Sequence, residues 1–284
     1  VVKKECAMNK QSGSGGAWKS PFFTKSPGAR TVARSLQLGK ELRRKARAGR
    51  ALGTFVIDLP HASTITALSV AGFDFLVLDM EHSSLDFGCL AGLIDASRAA
   101  GIPALVRPFG RDEGVIGKIL DMGAHGVMVP HVDCPERAGE IVSQARFAPR
   151  GQRGFSPVTR FDSLEEPLRE LDEAAYVVVQ IEGRSALERV ADISAVDGID
   201  AIFVGPYDLA LSLGVEPGSE QVYEAALDIA TRVPEYLALG IYLDDPATSG
   251  QWAERGFALQ CVSFDGRMLA GGAGAVVGQA GEWS

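Results

Sequence analysis

The 284-residue sequence predicts an α/β fold of the (β/α)8 TIM-barrel kind. Three observations carry the prediction. From about Leu52 the chain repeats one unit: a short β-branched apolar run, an amphipathic stretch, then Gly or Pro punctuation. The unit recurs eight times, which is the count and the size of such a barrel. The apolar runs are continuous and not alternating, so both faces of each strand need cover, as in a parallel sheet wrapped by helices. An open doubly wound sheet is the rival, but the chain has no GxGxxG turn and eight strands would be many.

The first strand is read at 52–57 and leads to a helix at 62–71, with Ser63 near its start as a cap. A strand at 73–79 and a helix at 86–100 follow, the helix closed by Gly101. The third unit is a strand at 104–107 and a helix at 112–122 closed by Gly123. The fourth is a strand at 127–130 and a helix at 135–146, capped by Asp133. A long connection holds an extra helix near 163–174 before the strand at 176–182 and the helix at 184–195. The sixth strand, 201–205, precedes a helix at 219–238 ended by Gly240. Strands at 240–243 and 259–264 then flank a helix at 246–255 closed by Gly256, and a last helix starts near 265.

Composition bounds the rest. Hydrophobic residues at 46% and a mean hydropathy of +0.08 suit a chain that buries a large core, which excludes disorder as the main state. Its longest apolar runs have strand length, so no membrane partner is expected. Cys6, Cys89, Cys134 and Cys261 lie far apart without CxxC spacing, which fits the reducing cytoplasm better than a disulfide framework or a zinc site. The net charge of −8 hides an asymmetry: in residues 1–50 only Glu5 and Glu41 oppose a series of Lys and Arg, while the remainder is acidic. A basic arm on an acidic body can meet nucleic acid. The Ser/Gly-rich stretch 11–16 argues instead for a tail, partly vector-like in composition, so no nucleic-acid partner is expected. Residues 1–48 are therefore read as a basic, flexible arm and 49–284 as the barrel domain.

In this architecture chemistry sits at the C-terminal ends of the strands. Those ends carry Asp79 with Glu81 and His82, then Arg107, then Gln180 and Glu182, then Asp208, and finally Asp265. Charges that continue buried strands are costly unless paired or used. Glu182 and Asp208 come from adjacent strands, and a hard divalent cation is the simplest way to keep both ionised. Oxygen ligation favours Mg²⁺ or Mn²⁺, with Co²⁺ possible; one of the pair meeting Arg107 is the alternative. His82 beside carboxylates suits a general base. Arg107 offers a planar fork for a carboxylate or enolate, or a packing residue. His61 is placed in a mobile first loop, and His125 and His131 are read as structural. After Lys45 the chain has one more lysine, Lys118 in a helix, so a Schiff-base mechanism lacks its nucleophile.

Asp79-Met80-Glu81-His82, Val106-Arg107-Pro108, Asp121-Met122-Gly123-Ala124, Val129-Pro130, the stretch from Phe147 to Gly154, Gln180-Ile181-Glu182 and Gly205-Pro206-Tyr207-Asp208-Leu209 occur in this order. Together they closely resemble the HpcH/HpaI aldolase family, the metal-dependent class II pyruvate aldolases, over about residues 50–265. The resemblance implies a barrel of the phosphoenolpyruvate/pyruvate-binding type. It implies Glu182 and Asp208 as metal ligands, Arg107 as the residue holding pyruvate and its enolate, and His82, oriented by Asp79, as the base acting through water. It also implies Gln180 as a substrate contact, backbone at Gly205, Pro206 and Tyr207 beside the pyruvate carboxylate, and Asp121 reaching a neighbouring subunit's site. A homo-oligomer, a hexamer formed by exchange of the last helix or something smaller, goes with it.

The sequence departs from the family at Gly183, in the 155–164 loop, and in the Gly-rich 266–281 segment, which lacks a long apolar stretch. The implied activity is a lyase acting on a 2-oxo acid (pyruvate or oxaloacetate) and an aldehyde. The alternative is a secondary-metabolism enolate enzyme resembling macrophomate synthase, with an unusual acceptor. A non-enzymatic scaffold would not need Glu182, Asp208, His82 and Arg107 together.

Overall fold

The computed structural model describes residues 29–110, 114–155 and 167–281. The chain runs α1 (Ala29–Arg47), β1 (Ala51–Val56), α2 (Ala62–Ala71), β2 (Phe75–Asp79), α3 (Phe87–Ala100), β3 (Ala104–Arg107), α4 (Val115–Asp121) and β4 (Gly126–Val129). It continues α5 (Pro135–Ala145), α6 (Pro167–Ala174), β5 (Tyr176–Ile181), α7 (Arg184–Glu188), α8 (Val190–Ser194), β6 (Ala201–Val204) and α9 (Pro206–Leu213). The last elements are α10 (Glu220–Arg232), β7 (Ala238–Leu243), α11 (Ser249–Glu254), β8 (Phe257–Phe264) and α12 (Asp265–Ala280). All eight strands pair in parallel with their sequence neighbours, and β8 closes on β1. The (β/α)8 barrel is the observed fold.

The two-residue period of a strand sorts side chains between two cores. Phe75 and Val77 of β2, Leu105 of β3, and Tyr176 and Val178 of β5 point to the barrel axis. Leu76, Leu78, Ala104, Val106, Val177 and Val179 face the helices. Continuing the inward parity one step places Asp79, Arg107 and Gln180 on the axis at the C-terminal mouth. Asp79 and Arg107 are register partners across β2 and β3.

Several local expectations need correction. Residues 206–213, read as connection, form α9: Pro206 occupies the first turn, where its missing N–H costs nothing, and Gly214 closes the helix at φ 74°. The single helix expected at 184–195 is interrupted at Arg189. Helix α10 stops at Arg232, two residues before Pro234, because a residue preceding proline is pushed out of helical geometry. Gly240 is no helix cap but lies inside β7, where a Cβ would sit 2.5 Å from the Leu259 carbonyl oxygen. The expected caps Ser63 and Asp133 give way to His61, whose Nδ1 accepts the Ser63 N–H, and to Cys134. Residues 156–166, which take in the start of the helix expected near 163–174, lie outside the described residues.

The largest correction concerns the basic arm. Over Ala29–Arg47 it is a helix and not a flexible tail. Leu38, Leu42 and Ala46 recur every four residues and are buried, and Leu42 and Ala46 complete the inner core from below. The same helix answers the charge asymmetry. Lys40 pairs with Glu173 at 3.0 Å, Arg43 with Asp200 at 3.0 Å and Lys45 with Asp74 at 2.6 Å. Buried Arg146 also meets Asp200 at 2.8 Å, so two guanidiniums share one carboxylate under the barrel.

Helix α12 is the opposite case. Despite its glycines it runs for 16 residues, and Leu269, Val276 and Val277 are exposed along it. Among the described residues no helix is long and apolar enough to cross a membrane.

His125 follows α4 and is structural, as expected. Its ring is buried, and Nδ1 accepts the Ala104 N–H at 3.0 Å, joining β3 to the turn before β4. Burial lowers its pKa to about 4, so the folded state holds it neutral. Between pH 6.5 and about 4 the unfolded chain binds the proton and the folded chain does not. The stability is therefore intact above pH 6.5 and falls as the pH drops, by about 3 kcal/mol at most. Thermal unfolding across this range should show the decline. His125→Asn, which keeps an acceptor but cannot titrate, should flatten the profile relative to wild type.

Candidate active site

The mouth at the C-terminal ends of the strands holds a cavity of about 240 Å³. Its wall includes His82, Arg107, Gln180, Glu182, Gly205, Pro206, Tyr207 and Asp208. These are eight of the ten residues to which the family resemblance assigns roles. Asp79 stands behind Arg107, fully buried, and Asp121 lies elsewhere, its carboxylate 2.7 Å from Arg153 Nη2 within the same chain. Asp265, another strand-end charge, is also structural. Its carboxylate accepts the N–H groups of Ile57, Asp58, Leu59 and Gly266 and pins the loop after β1.

Asp79 holds Arg107 in a two-pronged pair, with Nε to Oδ1 and Nη2 to Oδ2 both at 2.7 Å. The same carboxylate accepts the backbone N–H groups of Glu81 and His82. It does not touch the His82 ring, so the expected Asp79–His82 dyad is corrected: that carboxylate is committed to the guanidinium. The nearest carboxylate to the His82 ring is Glu81, at 3.7 Å, and the ring itself is more than half exposed. Burial works against the Arg107 charge, but Asp79, then Glu81 and Glu182, outweigh it and raise its pKa. Its guanidinium also lies over the Phe55 ring, 4.8 Å from the centroid.

Glu182 is buried, and Gln180 Nε2 donates to its Oε2 at 3.3 Å. Burial, with repulsion from Asp208 and Glu81, pushes the Glu182 carboxyl up to about 7, against the pull of His131. Asp208 lies in the first turn of α9 and not on a loop. Gly205 is required beside this carboxylate: a Cβ there would sit 2.5 Å from Glu182 Oε2. The Gly205 N–H is used by the Ile181 carbonyl at 3.3 Å, which leaves the first-turn N–H groups of α9, Tyr207 among them, without intrahelical partners.

His131, read from the sequence as structural, stands among the carboxylates of the site. It follows β4 with φ 53°, a left-handed conformation uncommon outside glycine, and this turns its N–H onto Glu182 Oε1 at 2.6 Å. Its ring bridges two carboxylates, Nδ1 to Glu182 and Nε2 to Glu81, each at 3.1 Å. The signal was present: His131 trails a barrel strand as His82 does. His61, by contrast, serves as the cap of α2. The cavity's remaining wall is aromatic, with Phe55, Phe203, Tyr207, Tyr242 and Phe264.

Comparison with known proteins gives a consistent picture. Residues 52–271 match the family described as HpcH/HpaI aldolase/citrate lyase. A 2-dehydro-3,6-dideoxy-6-sulfogluconate aldolase from Pseudomonas putida is 33% identical over 77% of this chain and 88% of its own. A pyruvate aldolase from Rhizobium etli is 32% identical over 82% and 94%. The crystal structure of an HpcH/HpaI aldolase from Desulfitobacterium hafniense DCB-2 superposes with a TM-score of 0.80 at 28% identity, covering 86% of this chain and 97% of that one. With its barrel, its strand-end polar ring and this match over most of its length, the chain belongs to the HpcH/HpaI aldolase/citrate lyase family.

Proposed function

We propose that the protein is a carbon–carbon lyase that cleaves and forms 4-hydroxy-2-oxo acids through the enolate of pyruvate, and that it also decarboxylates oxaloacetate. The observation that carries this is the convergence of Arg107, Gln180, Glu182, Asp208 and His82 on one small cavity. The pyruvate aldolase and the sulfogluconate aldolase among its relatives support an aldolase over the alternative of an unusual biosynthetic enolate enzyme.

The donor set fits a hard divalent cation, Mg²⁺, Mn²⁺ or Co²⁺, on Glu182 and Asp208. Among the described residues no three His, Cys, Asp or Glu side chains form a ready-made cage. Two carboxylates suit an ion that keeps water and takes its remaining oxygens from a 2-oxo acid. Gln180 Oε1, buried without a partner, is a further acceptor beside Glu182 for a water or substrate hydroxyl. When bound, the ion supplies Lewis-acid polarisation of the 2-oxo group.

Arg107, held rigid by Asp79, faces the carboxylate and the developing enolate oxygen. The first turn of α9, at Tyr207, directs N–H groups to the substrate carboxylate. His82 takes the proton of the 4-hydroxyl through water; the C3–C4 bond breaks, its electron pair enters the enolate, and an aldehyde leaves. Asp79 acts as a positioning residue through Arg107. Asp121 is assigned to a neighbouring subunit's site, and the uncovered Leu269, Val276 and Val277 of the glycine-containing α12 support a homo-oligomer, hexameric or smaller. The free thiols Cys89, Cys134 and Cys261 support a cytoplasmic location.

A chelator should abolish aldol cleavage, and Mn²⁺, Co²⁺ or Mg²⁺ should restore it. Full activity in a metal-stripped preparation, or irreversible trapping of pyruvate by borohydride, would overturn the proposal. Asp208→Ala should weaken calorimetric metal binding and turnover together; unchanged metal affinity would remove it from the ligand set.

Arg107 and His82 separate binding from proton transfer. Arg107→Ala should collapse both oxaloacetate decarboxylation and aldol cleavage. His82→Ala should lower aldol cleavage by roughly 10²-fold or more and decarboxylation much less, because loss of CO₂ reaches the enolate without deprotonating a hydroxyl. Equal losses in both reactions, with pyruvate and metal binding retained, would assign the base to another group.

A further inference from the structure

The cavity is divided by the order of strands around the barrel. Its polar groups come from the arc β2 to β6 and the turn into α9: His82, Arg107, Gln180, Glu182 and Asp208, with Phe203 of β6 the one aromatic ring among them. Its opposite wall comes from β7, β8 and β1, and is aromatic: Tyr242, Phe264 and Phe55, with Tyr207 leaning in from α9. Phe55 and Tyr242 meet edge-on with ring centroids 6.0 Å apart, and Tyr207 and Tyr242 are tilted at the same distance. Phe55 is nearly buried and its face is taken by Arg107, whereas Tyr242 and Phe264 are part-buried and Tyr207 is exposed, so these three can receive one more ring.

Charge points the same way. A second carboxylate or a sulfonate on the aldehyde would need a cation in the aromatic half. Among the described residues lining the cavity, Arg107 is the only Lys or Arg, and it is committed to Asp79 and Glu81. Outside the lining, Arg267 of α12 is held by Asp244, which also accepts the Tyr207 hydroxyl at 2.7 Å. Among the described residues, an anionic tail would therefore find Asp208 and Asp244 near the aromatic wall and no free counter-charge in the lining. Size is permissive: about 150 Å³ holds benzene, so 240 Å³ takes a six-membered ring beside a three-carbon acid.

We infer that the aldehyde partner is an uncharged aromatic aldehyde, seated between Tyr242, Phe264 and Tyr207. The inference rests on the pyruvate-enolate function proposed above. In the condensation direction C3 of the enolate attacks the aldehyde carbon. The carbonyl π pair moves to its oxygen, which receives the proton from His82 through water, giving a 4-aryl-4-hydroxy-2-oxobutanoate.

The test compares benzaldehyde, propanal and succinic semialdehyde as acceptors for pyruvate with the full-length, Mn²⁺-supplied protein, with oxaloacetate decarboxylation measured alongside. Benzaldehyde should exceed both others in kcat/KM by at least about tenfold. In the double variant Tyr242→Leu, Phe264→Val, the ratio of benzaldehyde to propanal should fall towards one. Should that variant fail to fold, the wild-type ratio decides alone. Decarboxylation with an equal or greater preference for propanal or succinic semialdehyde would overturn the aromatic assignment and leave the enolate function standing. Turnover of neither oxaloacetate nor any aldehyde would overturn both.

Discussion

Everything at the mouth of this barrel depends on the inward parity of its strands. In a closed parallel barrel every second residue faces the axis, and neighbouring strands in register bring those residues side by side. Asp79 and Arg107 are such partners. A buried ion pair is costly to desolvate unless its geometry is excellent and its other lone pairs are satisfied. Here both prongs are short, and two backbone N–H groups occupy the same carboxylate. The pair thus acts as a rigid floor. It aims the guanidinium edge at the cavity, and Asp79 meets His82 through the backbone N–H and not through the ring.

The two ends of the barrel solve opposite electrostatic problems. At the N-terminal end Asp200 is answered by Arg43, Arg146 and the Val177 N–H, so opposite charges tie α1 to the sheet. At the C-terminal end Glu182, Asp208 and Glu81 crowd together with Arg107 already committed to Asp79. His131 answers part of that excess by taking up a strained backbone conformation. Burial first, then the remaining repulsion from Asp208 and Glu81, holds the Glu182 carboxyl above its ordinary range, and the proposed cation would answer that repulsion. Among the described residues, the carboxylates at the first end meet their counter-charges, and those at the second outnumber theirs.

The outer surface repeats the contrast. The basic segment α1 found its cover by amphipathic spacing and three ion pairs, whereas α12 projects with its apolar residues uncovered. Glycines at 266, 271, 272, 274 and 278 each weaken a helix, so one this rich in them gains little from propensity.

Sequence alone determined the class of fold and most of the site, because both are periodic or local properties. Continuous apolar runs specify a covered parallel sheet, and polar residues just past those runs mark one end of it, where Arg107, Gln180, Glu182 and Asp208 line one cavity. Tertiary structure decided which polar groups pair. Asp79 belongs to Arg107 and not to His82, because register across β2 and β3 outranks nearness along the chain. His131 joins Glu182 and Glu81 from a third strand, a contact between residues about fifty apart that no local pattern encodes. The N-terminal arm became a helix for the same reason: its apolar stripe has value only against a barrel floor that exists once the strands have closed.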